Sequence, residues 1–194
     1  MSITMNSCGS DRPGRFARAL AVLCVLWPCT VLASGKWTAP AVLPAATERW
    51  QMLGDAEMRW LGLRIYDAAL WVPKGAGWSP NAAFALEIRY GRAIRSQRLV
   101  EVSLDEMQRL RVADSGQLEA WREPLAAAFP DVERDDAIIG LRMPDGRVRF
   151  FHRGTMTGEI ADPKFAEAFF AIWLDERTRE PAMRKRLLGL ADDR

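Results

Sequence analysis

The spacing of apolar residues in the first part of the chain follows a period of two. Over residues 84–90, apolar side chains alternate with Glu87 and Arg89, as in a half-buried β-strand. The stretch before it is dense in β-compatible apolar residues, is interrupted by Gly62 and ends at Pro73. The pattern therefore predicts three strands, over about residues 50–60, 62–72 and 84–90.

After the third strand the apolar spacing becomes helical. Residues 96–111 place apolar side chains three to four positions apart, and Ser96 is the predicted N-cap. Asp114 or Ser115 caps a second predicted helix, in which Pro124 is expected to produce a kink.

Strand signals return after the second helix. Asp145-Gly146 is a strong hairpin signal, and Gly154 marks another turn. Asp162 and Pro163 supply an N-cap and a first-turn proline for a third helix. These signals predict strands over 137–143, over 147–152 and up to Ile160, and then helices from Pro163 and over 181–188. The order predicts an α+β domain with a large, mostly antiparallel sheet backed by helices.

The predicted third helix is apolar on nearly every side, so neighbours must cover most of it. We expect the sheet and the adjacent helices to do so, either as pure core or with part of the surface lining a cavity for an apolar ligand. Phe165, Phe169, Ile172 and Trp173 form one stripe of this helix, while Phe170 and Leu174 face elsewhere.

The N-terminal segment has the pattern of a secretory signal. Three arginines (12, 15 and 18) precede an apolar run over residues 19–32, and Ala33 ends a suitable cleavage sequence. The alternative is a membrane anchor, but the run is shorter than the roughly 20 residues of a bilayer span and contains Pro28. We therefore expect a signal peptide (1–33), a short mature lead (34–49) and one domain (50–190), in a periplasmic or secreted protein without a membrane span after cleavage.

Removal of this segment changes the charge and the available chemistry. The chain has 27 Lys and Arg against 25 Asp and Glu, and residues 1–33 contain three Arg and one Asp, so the mature part is neutral. Neutrality argues against nucleic acid as a partner. All three cysteines lie in the removed segment and His152 is the sole histidine, which argues against thiol catalysis, a serine–histidine triad and a histidine-rich metal centre. We predict no cofactor and no metal.

Two polar features are predicted to be structural. His152 alternates with Val148 and Phe150, so it is expected to face the packed side of the sheet. The acidic run from Asp131 to Asp136 lacks the glycine and the closing glutamate of a calcium loop, so we expect a solvated turn.

Four segments resemble the bacterial exported branch of the chalcone isomerase-like family. They are "GLRIYDAALWVP" (62–73), "ALEIRYGRAI" (85–94), "FHRGTMTGEIADPKFAEAFFAIWLDERT" (151–178) and "MRKRLLG" (183–189), and the likeness extends from about Gly54 to Gly189. It implies an open-faced β-sandwich, in which a large antiparallel sheet is backed by helices with an apolar cleft between them. In plants such a cleft closes a chalcone to a flavanone without a cofactor, and other relatives bind fatty acids.

The resemblance also implies candidate site residues. Arg59, five residues after Gly54, corresponds to the arginine that stabilises an oxyanion in the enzyme branch. Tyr66 takes the place of a threonine, and Tyr90 is the phenol nearest to the expected tyrosine, which is missing. The site therefore departs from that of the enzymes.

Three functions remain open at this stage. The leading hypothesis is a non-catalytic periplasmic protein that binds a small apolar ligand, such as a fatty or aromatic acid, through Arg59, Tyr66 and Tyr90. The first alternative is an intramolecular lyase, with Arg59 stabilising an enolate or phenolate and Tyr66 as proton relay. The second is a structural partner of an unidentified envelope protein, with the cleft filled by side chains. An open cavity with Arg59 at its wall favours the first two.

Overall fold

The first three strands form consecutive antiparallel neighbours. The computed structural model describes residues 37–44 and 50–190; the predicted signal segment lies outside them. Strand β1 (Trp50–Trp60) pairs with β2 (Leu63–Pro73), and β2 pairs with β3 (Phe84–Tyr90). The β1–β2 register shifts between Met58 and Arg59: Met58 pairs with Tyr66 and Arg59 with Arg64, so the extra residue is Ile65, on β2.

Two helices follow β3. Helix α1 spans Ser96–Leu110 and α2 spans Ser115–Ala128. The prediction of Ser96 as N-cap was wrong: Arg95 is the cap residue, and the Ser96 hydroxyl instead donates to the Phe129 carbonyl at 2.6 Å. Asp114 caps α2 in a reciprocal capping box with Gln117, as one of the two predicted caps.

The second half of the chain completes the sheet and adds two helices. Strands β4 (Ala137–Arg142), β5 (Val148–His152) and β6 (Thr155–Ile160) continue the antiparallel order. Helix α3 (Pro163–Leu174) begins at the predicted cap, where the Asp162 carboxylate accepts from the Lys164 N–H, and α4 follows over Pro181–Leu187.

The six strands form one sheet in the order β1-β2-β3-β4-β5-β6. The predicted α+β class, with a large antiparallel sheet backed by helices, is confirmed. All four helices contribute buried side chains to one core with one face of the sheet. The opposite face is covered at its centre by residues 37–44, through Trp37 and Leu43. No helix in the described ranges is long and apolar enough to cross a bilayer.

Two glycines allow helices to approach the sheet backbone. A Cβ at Gly54 would lie 2.0 Å from the Arg186 carbonyl oxygen, so a side chain there would displace α4 from β1. A Cβ at Gly158 would lie 2.7 Å from the Ala128 side chain at the end of α2. These contacts hold α4 and α2 against opposite edges of the sheet.

The apolar helix α3 is covered as expected. Phe165, Phe169 and Phe170 are buried, and Phe169 contacts several other rings in edge-to-face, tilted or stacked geometry, at centroid distances of 5.2 to 6.1 Å. One part of the α3 surface, however, faces open space rather than side chains.

Candidate functional site

A cavity of about 770 Å³ lies between the helix-covered face of the sheet and helices α1, α3 and α4. This volume falls within the roughly 300–1,000 Å³ of sites for small organic ligands. Of the two alternatives for α3, the structure shows the second: Phe169, Ile172 and Trp173 line the cavity, whereas Phe165 is fully buried in the core. The cleft is therefore not filled by side chains.

The inner walls of the cavity are largely apolar. The sheet supplies one wall, and Phe169 with its α3 neighbours supplies the facing one. The sheet residues in this wall include Ile65, Leu86, Ile88, Ile138, Gly140 and Phe150. A ligand portion that enters this space loses contact with water, which favours hydrocarbon over polar groups.

The mouth of the cavity is marked by the lining residues that are exposed. They come from the β1–β2 hairpin, from the connection between β3 and α1, from α1 itself and from the α3–α4 connection: Trp60, Arg92, Ala93, Arg95, Arg98, Val102 and Arg179. Four arginines but only two glutamates, Glu106 and Glu180, line the cavity as a whole. Its charged lining is therefore net cationic and is concentrated at the entrance.

The arginines of the β3–α1 connection and of the first turn of α1 are weakly engaged. Arg95 lies 3.7 Å from the Asp131 carboxylate, and Arg98 lies 3.5 Å from that of Glu101. Arg92 makes no ion pair or hydrogen bond with any described residue. Exposed pairs of this kind contribute little and exchange readily with solvent. These guanidinium groups are thus available to an incoming anion.

Arg179 on the other side of the mouth is held more firmly. Its Nε lies 2.8 Å from Glu106, whose other carboxylate oxygen accepts from Arg109 at 2.8 Å. Glu106 is therefore bound by two cations and fixes the α3–α4 connection against α1. Each of its two carboxylate oxygens is thus paired with an arginine.

Both tyrosines of the chain line the cavity. The Tyr66 oxygen accepts from the Trp173 indole at 3.1 Å, and its hydroxyl points to the Met183 sulfur at 3.8 Å. Burial raises the pKa of Tyr66 to about 12, and burial also raises the pKa of Tyr90. The Tyr90 hydroxyl makes no hydrogen bond with a described residue, so it can donate to a ligand.

Arg59 lies elsewhere. Its side chain pairs with Glu57 and donates to the Gly62 carbonyl at 3.1 Å, and it does not line the cavity. Its neighbours in β1, Met58 and Trp60, line the cavity, so strand alternation places Arg59 on the opposite face, beside Glu57. Its role in ligand binding stays a prediction, but the structure does not bring Arg59 and Tyr66 together at one cavity, as the lyase alternative requires.

The remaining predicted features contact structural partners. His152 Nε2 lies 3.4 Å from the Asp136 carboxylate, outside the cavity. Asp136 also accepts from Arg153 at 2.9 Å, and this hydrogen bond lowers the pKa of Asp136 to about 2. The acidic run is thus engaged with arginines and backbone.

The cationic mouth was missed by sequence reasoning. Arg92, Arg95 and Arg98 recur every third residue across the strand-to-helix connection. That spacing within a segment joining a core strand to a core helix was a usable signal. The family resemblance points instead to Arg59 as the cation of the site.

Comparison with known proteins agrees with this architecture. A chain of the Arabidopsis thaliana fatty-acid binding protein matches with a TM-score of 0.54 at 12% identity, covering 72% of this chain and 87% of that one. An uncharacterized protein of Haemophilus influenzae is 27% identical over 140 residues, which are 72% of this chain and 68% of the relative. The model of the family described as chalcone isomerase-like matches residues 39–189. The chain therefore belongs to the chalcone isomerase-like family.

Proposed function

We propose that this protein is a non-catalytic binding protein for an amphipathic carboxylic acid, such as a fatty or aromatic acid. The hydrocarbon portion occupies the cavity between sheet and helices, and the carboxylate lies at the mouth. The observation that carries this proposal is a large apolar cavity whose entrance holds several weakly engaged arginines.

The two ends of the cavity fit the two ends of such a ligand. Each methylene that leaves water contributes about 0.8 kcal/mol, so affinity should rise with chain length until the cavity is filled. A carboxylate accepts charge-assisted hydrogen bonds from guanidinium groups, and a planar guanidinium can bind both oxygens. Arg92 has no competing partner among the described residues, so it is the first candidate for this contact.

One structural neighbour supports the same chemistry. The Arabidopsis thaliana neighbour is described as a fatty-acid binding protein. Its fold places a large antiparallel sheet beside helices, as here, which makes a lipid-like ligand a reasonable class for this cavity.

The same proposal includes export. The signal-like pattern of residues 1–33 favours a periplasmic location and the exported branch of the family. Cell fractionation with determination of the mature N-terminus tests this part. A mature protein that begins near residue 34 in the periplasm is expected, and an uncleaved cytoplasmic chain would contradict it.

The binding proposal is tested by titrating the folded protein with a series of fatty acids and with their methyl esters. We expect the triple variant Arg92→Ala/Arg95→Ala/Arg98→Ala to bind the acid about tenfold more weakly, while ester binding changes little. Arg59→Ala is the matched control, because Arg59 lies outside the cavity, and it should retain wild-type affinity.

The outcomes separate the two arginine assignments. If Arg59→Ala loses acid binding and the triple variant does not, the carboxylate contact belongs to Arg59, as the family resemblance implies. Absence of saturable binding of acids and esters alike would overturn the proposed function.

A further inference from the structure

The tip of the β1–β2 hairpin carries exposed apolar side chains. Trp60 is 61% exposed, Leu61 81% and Leu63 59%. Leu61 and Gly62 form the turn with positive φ angles of 49° and 79°. These large side chains therefore project into solvent from a two-residue turn.

The backbone conformation of the turn does not explain why position 61 is a leucine. A two-residue turn with positive φ at both positions favours Asn or Asp followed by Gly, because a larger side chain is strained there. Leu61 bears this strain and gains no compensating burial, since four-fifths of it remains accessible to solvent. Folding stability alone therefore does not explain an exposed apolar tip on the β1–β2 hairpin.

The tip is continuous with the cavity entrance. Trp60 belongs both to the exposed tip and to the cavity lining. The arginines of the β3–α1 connection, Arg92 and Arg95, line the same entrance and are exposed. Apolar side chains and cations thus surround one opening.

This combination has the chemistry of a membrane-surface anchor. Tryptophan and leucine enter the boundary between head groups and acyl chains, while arginines remain beside anionic phosphates. A narrow projecting turn can enter a bilayer surface, whereas a protein interface generally presents a broader patch. The net cationic lining at the entrance favours a surface of opposite charge.

We propose that the β1–β2 hairpin tip docks the protein on a bilayer that contains anionic lipid, with the cavity mouth facing the membrane. Leu61 and Leu63 enter the interfacial region, and the arginines at the mouth contact head-group phosphates. An acid ligand can then pass between bilayer and cavity without crossing bulk water. This exchange step rests on the proposed function, but the docking itself does not.

The test is co-sedimentation of the full mature protein with vesicles of phosphatidylcholine alone and of phosphatidylcholine mixed with phosphatidylglycerol. We expect binding to the mixed vesicles that weakens with added salt, and a loss of about tenfold or more in Leu61→Asp/Leu63→Asp. Neither leucine lines the cavity, and aspartate tolerates the positive φ at position 61, so the variant should fold.

Met156→Asp is the matched control. Met156 is 54% exposed and lies in β6, at the opposite edge of the sheet from β1. This variant should bind the mixed vesicles like the wild type. The proposal would be overturned by an equal loss of binding in both variants, by equal binding to both kinds of vesicle, or by a wild type that binds no vesicles. In the last case the hairpin tip remains a candidate surface for a protein partner.

A second readout separates this proposal from the proposed function. Fatty-acid titration without vesicles should give the same affinity for Leu61→Asp/Leu63→Asp and for the wild type. Vesicle binding without fatty-acid binding would support membrane docking and contradict the proposed function. Fatty-acid binding without vesicle binding would support the proposed function and contradict membrane docking.

Discussion

The two faces of the sheet are both covered, but they are covered in different ways. The face toward the helices packs aromatic and aliphatic side chains, yet a cavity of about 770 Å³ remains between the layers. The opposite face has a smaller apolar cluster, which includes Trp37 and Leu43 from the N-terminal segment. Charged side chains lie beside this cluster.

The charges on the opposite face are engaged with partners close by. Glu87 accepts from the Trp71 indole at 3.2 Å and from Arg89 at 2.9 Å. The Arg89 guanidinium lies 4.4 Å from the centre of the Trp37 ring, and the Trp37 indole donates to Asp55 at 3.1 Å. This network ties the N-terminal segment to the sheet and gives its charged side chains close partners.

The difference indicates where ligand chemistry can occur. On the opposite face, burial and ion pairing close the surface, so its charges serve stability. On the helix face, apolar walls enclose free space, and Arg92, Arg95 and Arg98 lie at the rim with weak partners or none among the described residues. Free volume together with available cations, rather than buried charge alone, distinguishes the binding face.

The largest expected effect comes from the helix-face core. Phe165 is fully buried and contacts the rings of Trp121, Phe150 and Phe169 at centroid distances of 5.4, 6.2 and 5.5 Å. Phe165→Ala should lower the free energy of unfolding by about 3–5 kcal/mol, because a cavity replaces the ring. Urea denaturation measures this, and a loss below about 1 kcal/mol would show that the cluster is loosely packed.

A smaller loss is expected from the opposite face. Glu87→Ala deprives the buried Trp71 indole N–H of its acceptor and removes the carboxylate that faces Arg89. The free energy of unfolding should fall by about 2–3 kcal/mol, with fatty-acid affinity unchanged. Glu119→Ala, which breaks the exposed pair with Arg122, is the control and should cost less than about 1 kcal/mol. A change in fatty-acid affinity in Glu87→Ala would contradict the functional separation of the two faces.

The smallest effect concerns the cavity tyrosines and appears only at high pH. Burial disfavours the phenolate, so the folded-state pKa of Tyr66, about 12, lies above its unfolded value near 10. Its contribution to stability is therefore complete below about pH 10 and is lost as the pH rises toward 12. Because Tyr90 is shifted in the same direction and the chain has two tyrosines, absorbance at 295 nm should show no phenolate in the folded protein near pH 10. Half-titration of one tyrosine at that pH, with the fold intact, would contradict burial.

Local signals were sufficient to predict most of the fold. Asp145-Gly146, Asp162-Pro163 and the period of two over residues 84–90 each lie within a few residues of the element that they determine. The predicted cap of α1 was wrong because it depends on a distant contact. The Ser96 hydroxyl donates to the Phe129 carbonyl, 33 positions away, and local spacing does not reveal this contact.

The site was predicted less completely. Tyr66 and Tyr90 were expected at the site from the family resemblance, and both line the cavity. The face of Arg59 could not be predicted, because a register slip of one residue moves a strand side chain to the other face. In the structure Arg59 lies between Met58 and Trp60, which line the cavity, and therefore faces away from it. The cavity volume depends on how rings from distant segments pack, which no local pattern encodes.

The measurement that tests the central claim most directly is a crystal structure with a fatty acid that carries bromine on its terminal carbon. Anomalous scattering would locate the bromine without prior assumption about the pose. We expect bromine among Phe169, Ile172 and the sheet wall, with the carboxylate at Arg92, Arg95 or Arg98. Bromine at the mouth with the carboxylate inside, or a ligand on another surface with the cavity empty, would contradict this expectation.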